Sequence, residues 1–238
     1  LLVKAAMEAI EHENPRMDGV LPKEVYGQLV PEEEPELLSR IVRVFKDIPE
    51  NISIDIFGQI YEYFLGNFAL AEGQGGGAFY TPASVVQYMV EVLQPATGDK
   101  KFLDPACGSG GMFVQCAKFV ERHHEKASRK LSLFGTEKTE DTVPLAKMNL
   151  ALHGLSGDIR QANSYYEDPH EAVGAFDFVM ANPPFNVDKI KKEQLTGDKR
   201  FPFGLPKADN GNFIWIQQFY AALSAKGRAG FVMANSAC

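Results

Sequence analysis

The sequence predicts an α/β protein in which a doubly wound, mostly parallel sheet follows an N-terminal helical domain. After residue 73, short apolar segments of strand length alternate with helical patterns, which is typical of such a sheet. Residues 1–72 instead show apolar positions at helical spacing only. At 238 residues and 45% hydrophobic content, the chain is long enough for one large domain or for a small and a medium one.

The N-terminal domain is predicted to be helical. Apolar residues recur with helical period in LLSRIVRVFKDI, residues 37–48, and again in residues 54–72. A glycine-rich stretch, GQGGGAFYTP, follows at residues 73–82, and we place the domain boundary at its start, which gives domains of 1–72 and 73–238. Thr81 is expected to cap a helix whose first residue is Pro82.

The second domain is predicted to alternate strands with helices. The predicted strands are residues 101–104, 131–136, 158–162, 176–181 and 228–233. The predicted helices are residues 82–94, 111–127, 139–153 and 209–225. Ligands of such sheets bind at the carboxyl ends of the strands, so the groups that follow each strand are expected to lie together.

Charge and cysteine content restrict the class of protein. The first 72 residues carry 6 basic and 14 acidic side chains, whereas the remainder carries 18 and 17. Without a strongly basic face, the chain is expected to rely on another subunit for contacts with DNA phosphates. Three unpaired cysteines, histidines without zinc-site spacing and no apolar run of membrane-spanning length predict a cytoplasmic protein with reduced thiols and no metal.

The first candidate ligand site is FLDPACGSGGMF, residues 102–113, which reads as a strand, a small-residue turn and a helix start. Gly108 and Gly110 allow close approach of the backbone to a ligand, and the free N–H groups of the helix favour an electron-rich group. A tight βα turn is the structural alternative. Glu137, about 30 residues further on, could accept hydrogen bonds from two ribose hydroxyls, or be a solvated acid at a helix start.

Two further strand ends carry polar or rigid groups. Asn163 and Ser164 close the third strand and could read an adenine edge. NPPF, residues 182–185, closes the fourth strand with two prolines, which remove two backbone donors and fix two φ angles. An amide and an aromatic ring beside this rigid corner indicate a site for a planar molecule with N–H groups.

DPACGSGG followed by NPPF resembles the cofactor loop and catalytic motif of amino-group methyltransferases, specifically the N6-adenine DNA methyltransferases. FYTP, GTEKTEDTVPLAKMNLALHG, RFPFG, NGNFIWIQQFYAALSAKGRAGFVMANS and the N-terminal DIFGQIYEYFL resemble the modification subunit of type I restriction-modification systems. The resemblance covers most of the chain. It implies the Rossmann-like fold of S-adenosylmethionine-dependent methyltransferases, and methyl transfer from S-adenosylmethionine to adenine N6 in DNA.

The chemistry of this reaction explains why an amide and two prolines form the NPPF corner. The lone pair of an exocyclic adenine nitrogen is delocalised into the ring, so acceptors at its two N–H bonds are needed to favour a tetrahedral, nucleophilic nitrogen. The side-chain oxygen of Asn182 and the backbone carbonyl of Pro183 would be these acceptors. Pro184 adds rigidity, and Phe185 would stack on a base flipped out of the duplex.

By the resemblance, the cofactor is held by motif residues from three strand ends and from the segment that leads into the first helix of the second domain. They are Phe79, Tyr80, Thr81 and Pro82 at the methionine end, Asp104, Gly108, Ser109 and Gly110 around the amino acid part, Glu137 at the ribose, and Asn163 with Ser164 at the adenine. Many methyltransferases place an aspartate where Asn163 stands, so this departure puts cofactor affinity in question.

The resemblance also implies the partners. They are double-stranded DNA with a flipped adenine, a specificity subunit that reads the target sequence, a second modification subunit and, in a larger assembly, a restriction subunit; no membrane is involved. The segment DKIKKEQLTGDKR could contact phosphates or be a solvated loop. Its basic residues are Lys189, Lys191, Lys192, Lys199 and Arg200.

Three other functions fit part of the pattern. Transfer to a protein glutamine or an RNA amino group uses the same corner, but those relatives usually carry tyrosine after the prolines. A non-catalytic cofactor-binding assembly subunit is expected to have lost NPPF, and a dinucleotide oxidoreductase gives no reason for it. The resemblance expects further strands and a C-terminal helical region after residue 233, so the sheet is expected to be truncated and marginal in isolation.

Two side-chain expectations concern packing alone. Phe213, Ile214, Trp215 and Phe219 are predicted to form the buried face of a helix. Cys107 is predicted to be a small packing residue.

Overall fold

A computed structural model describes residues 2–24, 36–46, 54–71, 81–95, 100–123, 131–206 and 211–233. The α-helices are α1 (Leu2–Glu13), α2 (Leu37–Lys46), α3 (Ile54–Ala71), α4 (Ala83–Leu93), α5 (Gly111–His123), α6 (Thr142–Leu152) and α7 (Asn212–Ala222). The strands are β1 (Lys100–Asp104), β2 (Leu131–Glu137), β3 (Gly157–Gln161), β4 (Phe176–Ala181) and β5 (Leu223–Phe231). Short 3-10 helices cover Pro15–Met17 and Lys192–Leu195.

The five strands form one parallel sheet in the order β3-β2-β1-β4-β5. The predicted doubly wound parallel sheet is thereby confirmed. Its chain reversal lies between β1 and β4, the position where ligands of open α/β sheets bind.

Successive residues of each strand point to opposite faces of the sheet, and their side chains pack into two hydrophobic cores, one on each face. Phe102 of β1 and Phe178 of β4 stack with ring centroids 5.7 Å apart and pack beneath α4, α5 and α6. Their neighbours Leu103 and Val179 point to the other face, where α7 covers them. Both faces are therefore apolar, which explains why these strands read as continuous hydrophobic runs.

The end of the chain folds differently from the prediction. The predicted helix 209–225 ends at Ala222, and the strand predicted at 228–233 already begins at Leu223. Leu223 pairs with Phe176 and Arg228 with Phe178, so β5 contains an irregularity that accommodates the extra residues. This sheet pairing overrides the helical propensity of the segment, an effect that local sequence cannot reveal.

The buried face of α7 is also narrower than predicted. Ile214, Trp215 and Phe219 are buried, as expected, but Phe213 is 50% exposed. Successive residues lie about 100° apart around a helix, so Phe213 lies about 200° from the buried Trp215 and turns toward solvent.

Helix α3 packs directly on the sheet-bearing part of the chain. The Tyr61 hydroxyl donates to the carbonyl of Leu145 on α6 (3.0 Å), and Lys118 Nζ of α5 donates to the Glu62 carboxylate (3.0 Å). The predicted domain boundary lies outside the described residues, and the division into two domains stays a prediction.

Candidate active site

The carboxyl ends of four neighbouring strands bring four of the predicted site residues to one edge of the sheet. β1 ends at Asp104 and β2 at Glu137, while Asn163 follows β3 and Asn182 directly follows β4. Because β1 lies between β2 and β4, Asp104 occupies the middle of this edge.

The turn after β1 presents its backbone to the site. Gly108 and Gly110 have φ angles of 51° and 78°, in the left-handed region where a side chain would introduce strain. The amide of Asn149 on α6 donates from Nδ2 to the carbonyl of the buried Ser109 (2.8 Å). The loop therefore reaches the N-terminus of α5 in a conformation fixed by both glycines and α6.

Asp104 is a carboxyl group with almost no contact with water. It is 1% exposed, and its Oδ1 accepts a hydrogen bond from the N–H of Ala106 (3.0 Å). Burial raises the pKa of Asp104 to about 8; the bond from Ala106 opposes this increase, and the nearby Glu137 carboxylate adds to it. A cation beside Asp104 would favour the ionised form, so the site is suited to a positively charged group.

Glu137 braces the glycine loop. Its Oε2 accepts from the N–H of Gly108 (3.1 Å) and its Oε1 from the N–H of Thr139 (2.8 Å). A carboxylate oxygen can accept more than one hydrogen bond, so ribose hydroxyls could still be added. Glu137 thus has a structural task that its sequence position did not predict.

The predicted adenine-reading pair is largely engaged by the protein. The Ser164 hydroxyl donates to the carbonyl of Pro105 (2.6 Å), so its single proton is not available to a ligand. Asn163 Oδ1 accepts from the N–H of Tyr165 (3.2 Å), and this hydrogen bond forms a local turn. The side-chain nitrogen of Asn163 is then the polar atom that can face a ligand.

Arg200, predicted as a phosphate contact or part of a solvated loop, is 7% exposed and has another role. Its guanidinium donates to the carbonyls of Ser164 and Glu167 (both 2.8 Å) and to the carboxylate of Asp198 (2.6 Å). Arg200 therefore fastens the loop after β3, and the expectation of a phosphate contact by this residue is wrong. The exposed or half-exposed lysines of the segment are Lys189, Lys191, Lys192 and Lys199.

Asn182 has one satisfied and one unsatisfied side-chain atom. Its Nδ2 donates to Thr81 Oγ1 (3.2 Å), whereas its Oδ1 is buried and has no hydrogen-bond partner among the described residues. A buried acceptor without a partner is costly, which is typical of a site that awaits a ligand.

The expected capping role of Thr81 is wrong. Helix α4 begins at Ala83, and the residue before it makes no side-chain capping bond. The Thr81 hydroxyl instead contacts Asn182, from which it is 101 residues distant in sequence. Phe79 and Tyr80 lie outside the described residues, and Pro82 is exposed at the start of α4.

Asn212, the first residue of α7, holds the NPPF corner that follows β4, and the sequence did not predict this role. Asn212 is 2% exposed; its Oδ1 accepts from the N–H of Asn186 (2.9 Å) and its Nδ2 donates to Asn186 Oδ1 (3.0 Å). Asn186 has a φ of 54°. Pro183 is buried, whereas Phe185 is 39% exposed and accessible to a planar ligand. In the sequence, this role of Asn212 could have been indicated by the NGNF segment, in which Asn212 directly follows Gly211.

Replacing Asn212 with leucine is expected to lower the free energy of unfolding by about 1–2 kcal/mol, because the two hydrogen bonds between buried Asn212 and exposed Asn186 are lost. Urea unfolding followed by circular dichroism measures the change. Replacing exposed Phe213 with leucine is the control, and equal stability of both variants would show that the reciprocal amide contact does not stabilise the corner.

Two cavities meet at Asn182. The first lies around the glycine loop, and its lining includes Thr81, Asp104, Gly108, Ser109, Met112, Gln115, Asn149 and Asn182. The second has a volume of about 280 Å³, and its lining includes Glu137, Asn163, Ser164, Tyr165, Asn182, Pro184 and Trp215. Asn182 and Ala106 are shared by the two cavities, so the unpartnered amide oxygen belongs to a residue at their junction.

Within the described ranges, no group of three or more His, Cys, Asp or Glu side chains could hold a metal ion. Of the helices given above, none combines the length and the apolar content needed to cross a bilayer. Cys107 is buried, and burial raises the pKa of its thiol, as expected of a packing residue.

Comparison with known proteins gives matches over nearly the whole chain. A family model described as N-6 DNA Methylase matches residues 52–238. The type I restriction enzyme MjaIX methylase subunit of Methanocaldococcus jannaschii is 38% identical over 99% of this chain and 43% of the relative. The type I restriction enzyme HindI methylase subunit of Haemophilus influenzae is 36% identical over 98% of this chain and 54% of the relative. The chain thus spans about half the length of these relatives.

A solved structure has the same architecture. The type I restriction-modification system methyltransferase subunit from Streptococcus thermophilus matches with a TM-score of 0.67 and 27% identity, over 77% of this chain and 40% of that structure. Over 77% of the chain, the fold described above is therefore shared with an experimentally determined structure.

Proposed function

The chain belongs to the N-6 DNA methylase family, and from this premise we propose that it is the cofactor-binding and catalytic part of a type I modification subunit. In this proposal it transfers a methyl group from S-adenosylmethionine to N6 of adenine in DNA. The observation that carries the proposal is the buried, unpartnered Oδ1 of Asn182, whose residue lines both cavities. That atom has no donor among the described residues, so its capacity to accept a hydrogen bond is unused before a substrate binds.

The residues present fit S-adenosylmethionine. Its amino acid end carries an ammonium group and a carboxylate, which suit the first cavity, where the carboxyl group of Asp104 lies near the N-terminus of α5. Its adenosine end requires acceptors and donors such as Glu137 and the amide nitrogen of Asn163, which line the second cavity. When bound, the cofactor supplies an electrophilic methyl group.

Asn182 and Pro183 have the acceptors that the target nitrogen needs. Asn182 Oδ1 accepts one N6–H, and the carbonyl of Pro183 accepts the other, so that the nitrogen lone pair leaves conjugation with the ring. Thr81 helps to orient the Asn182 amide through the bond from Nδ2. No strong base is required, because the nitrogen becomes acidic only after it has been alkylated.

Phe185 and the Asn186–Asn212 contact complete the acceptor side of the site. The exposed ring of Phe185 stacks on the flipped adenine, which retains part of the stacking energy lost from the duplex. Asn212 keeps the turn after Phe185 in one conformation. The ring is thereby held ready before DNA arrives.

The proposed partners are duplex DNA, a specificity subunit, a second modification subunit and, in the larger assembly, a restriction subunit. The acidic first 72 residues and the nearly neutral remainder favour shared recognition, in which another subunit supplies much of the positive charge for phosphates. The relatives' names as type I methylase subunits support the same assembly.

Replacing Glu137 is expected to weaken S-adenosylmethionine binding in two distinguishable ways. Glu137→Ala removes both the ribose acceptor and the brace on the loop, so we expect a loss of tenfold or more, roughly 1.4 kcal/mol. Glu137→Gln keeps the shape and one acceptor, so a smaller loss is expected. Isothermal titration of the folded protein measures both, and unchanged affinity in Glu137→Ala would contradict the assignment.

The acceptor is identified by a methylation assay on the full-length subunit with its specificity subunit. Transfer of labelled methyl to DNA, followed by mass spectrometry of the nucleosides, should give N6-methyladenine. Label in RNA or in protein glutamine, with none in DNA, would favour the other amino-group acceptors. Cofactor binding without transfer to any of them would indicate an assembly subunit.

A further inference from the structure

Asn149 is a second buried amide with an unpartnered oxygen. It lies on α6, is 1% exposed, and lines the first cavity together with Asp104 and Ser109. Its Nδ2 is engaged by the Ser109 carbonyl at 2.8 Å, whereas its Oδ1 has no hydrogen-bond partner in the described part of the chain. The motif resemblance gives this residue no role.

The bond to Ser109 explains only half of this side chain. Fixing the glycine loop requires the donor Nδ2, and an oxygen left without a donor in a buried position destabilises the protein. A ligand that brings an N–H or O–H group into the cavity would remove this penalty. The unpaired oxygen therefore indicates a donor group in the occupied cavity.

The charge of the cavity indicates which donor this is. Its described lining includes two carboxyl groups, those of Asp104 and Glu62, and no basic side chain; Glu62 is already paired with Lys118 (3.0 Å), which leaves Asp104 for a ligand. A primary ammonium group has three N–H donors and no acceptor, so it matches a cavity that offers a carboxyl group and an amide oxygen. A carboxylate fits better at the backbone N–H groups where α5 begins.

We propose that Asn149 Oδ1 accepts a hydrogen bond from the α-ammonium group of the cofactor's amino acid part. Asn149 is then a specificity residue, because it favours ligands with this amino group over ligands without it. The inference rests on the proposed function, since it assumes S-adenosylmethionine as the ligand. Its location on α6 means that the helix following Glu137 contributes to cofactor binding as well as to loop structure.

The test compares two ligands in two proteins by isothermal titration. The ligands are S-adenosylhomocysteine and its desamino analogue, which differ only in the α-amino group. Asn149→Leu removes both the acceptor and the bond to Ser109. Loss of the loop contact affects both ligands alike, whereas loss of the acceptor affects only the ligand that has the amino group.

We expect the wild-type protein to prefer S-adenosylhomocysteine over the desamino analogue by about tenfold or more, and Asn149→Leu to reduce this preference about fivefold or more. An equal loss of affinity for both ligands would overturn the inference and leave Asn149 as a loop support. If the wild-type protein bound neither ligand, the proposed cofactor site itself would fail.

Gln217 offers a matched control. It is a buried amide on α7 that donates to the Gly204 carbonyl at 2.8 Å, outside the first cavity. Gln217→Met should leave the ligand preference unchanged. If Asn149→Leu does not fold, as judged by circular dichroism, Asn149→Ala gives the same comparison, and an unaltered preference in that folded variant would equally reject the proposal.

Discussion

Replacing Asn182 with alanine is expected to slow methyl transfer about 10²–10³-fold, with cofactor affinity within about threefold of wild type. The substitution removes the unpartnered Oδ1 that accepts from the target amino group, while Asp104 and Glu137 remain in the cavities. Its effect should therefore appear in the chemical step. Single-turnover transfer to DNA by the assembled enzyme, beside titration of the cofactor, separates the two quantities.

Thr81 supplies a control for the orientation of this amide. Thr81→Ser retains the hydroxyl that accepts from Asn182 Nδ2 and should transfer methyl at nearly the wild-type rate, whereas Thr81→Val should be slower. A normal rate in Asn182→Ala would remove the central support for the proposed mechanism. A parallel loss of rate and cofactor affinity would make Asn182 a binding residue instead.

Asp104→Asn is expected to produce a more stable protein that binds its cofactor less well. The pKa of Asp104 is about 8 in the folded protein, whereas the ordinary value for an aspartate, taken here for the unfolded chain, is 3.8. Between these values the folded state holds more protons than the unfolded state, so the contribution of this group to stability falls as pH rises from about 4 to 8. Relative to wild type, the amide variant should therefore gain stability over that window.

The expected gain at pH 8 is on the order of 2–5 kcal/mol, measured by urea unfolding at pH 5 and pH 8. The carboxyl is fully buried, so little of the effect is screened by solvent. The same variant should bind S-adenosylmethionine about tenfold or more weakly, because the ionised acceptor for a cation is lost. Asp188→Asn, at an exposed position, is the control and should change neither property.

A variant Asp104→Asn with wild-type stability at both pH values would show that the buried carboxyl is not destabilising. Undiminished cofactor binding by that variant would show that Asp104 does not face a cation. Together, higher stability and weaker binding would identify Asp104 as a group that is maintained for binding at the expense of stability.

Several elements lie within three residues of the positions predicted from the sequence. α4 and α6 were expected at 82–94 and 139–153 and lie at 83–93 and 142–152. β4 was expected at 176–181 and is found there. In each case the apolar pattern of the segment agrees with the tertiary packing, so local and global preferences coincide.

The start of β5 was missed because a distant strand decides it. Residues 223–225 were predicted as the end of a helix, but Leu223 pairs with Phe176 of β4. Gly227 passes close to that strand: a Cβ atom there would lie 2.7 Å from the Phe176 carbonyl oxygen. Such a contact requires knowledge of which strands are neighbours.

Sequence by itself determined the fold class, the family resemblance and the order of polar groups at the strand ends, because each depends on short segments that read the same in isolation. Only the tertiary structure decided which hydrogen-bonding atoms remain available to a ligand. The Ser164 hydroxyl and the Arg200 guanidinium are engaged by partners from other strands or loops, while the oxygens of Asn182 and Asn149 have none among the described residues. The physical reason is that each polar atom has a limited hydrogen-bonding capacity, and the groups that use it are brought together by folding from distant parts of the chain.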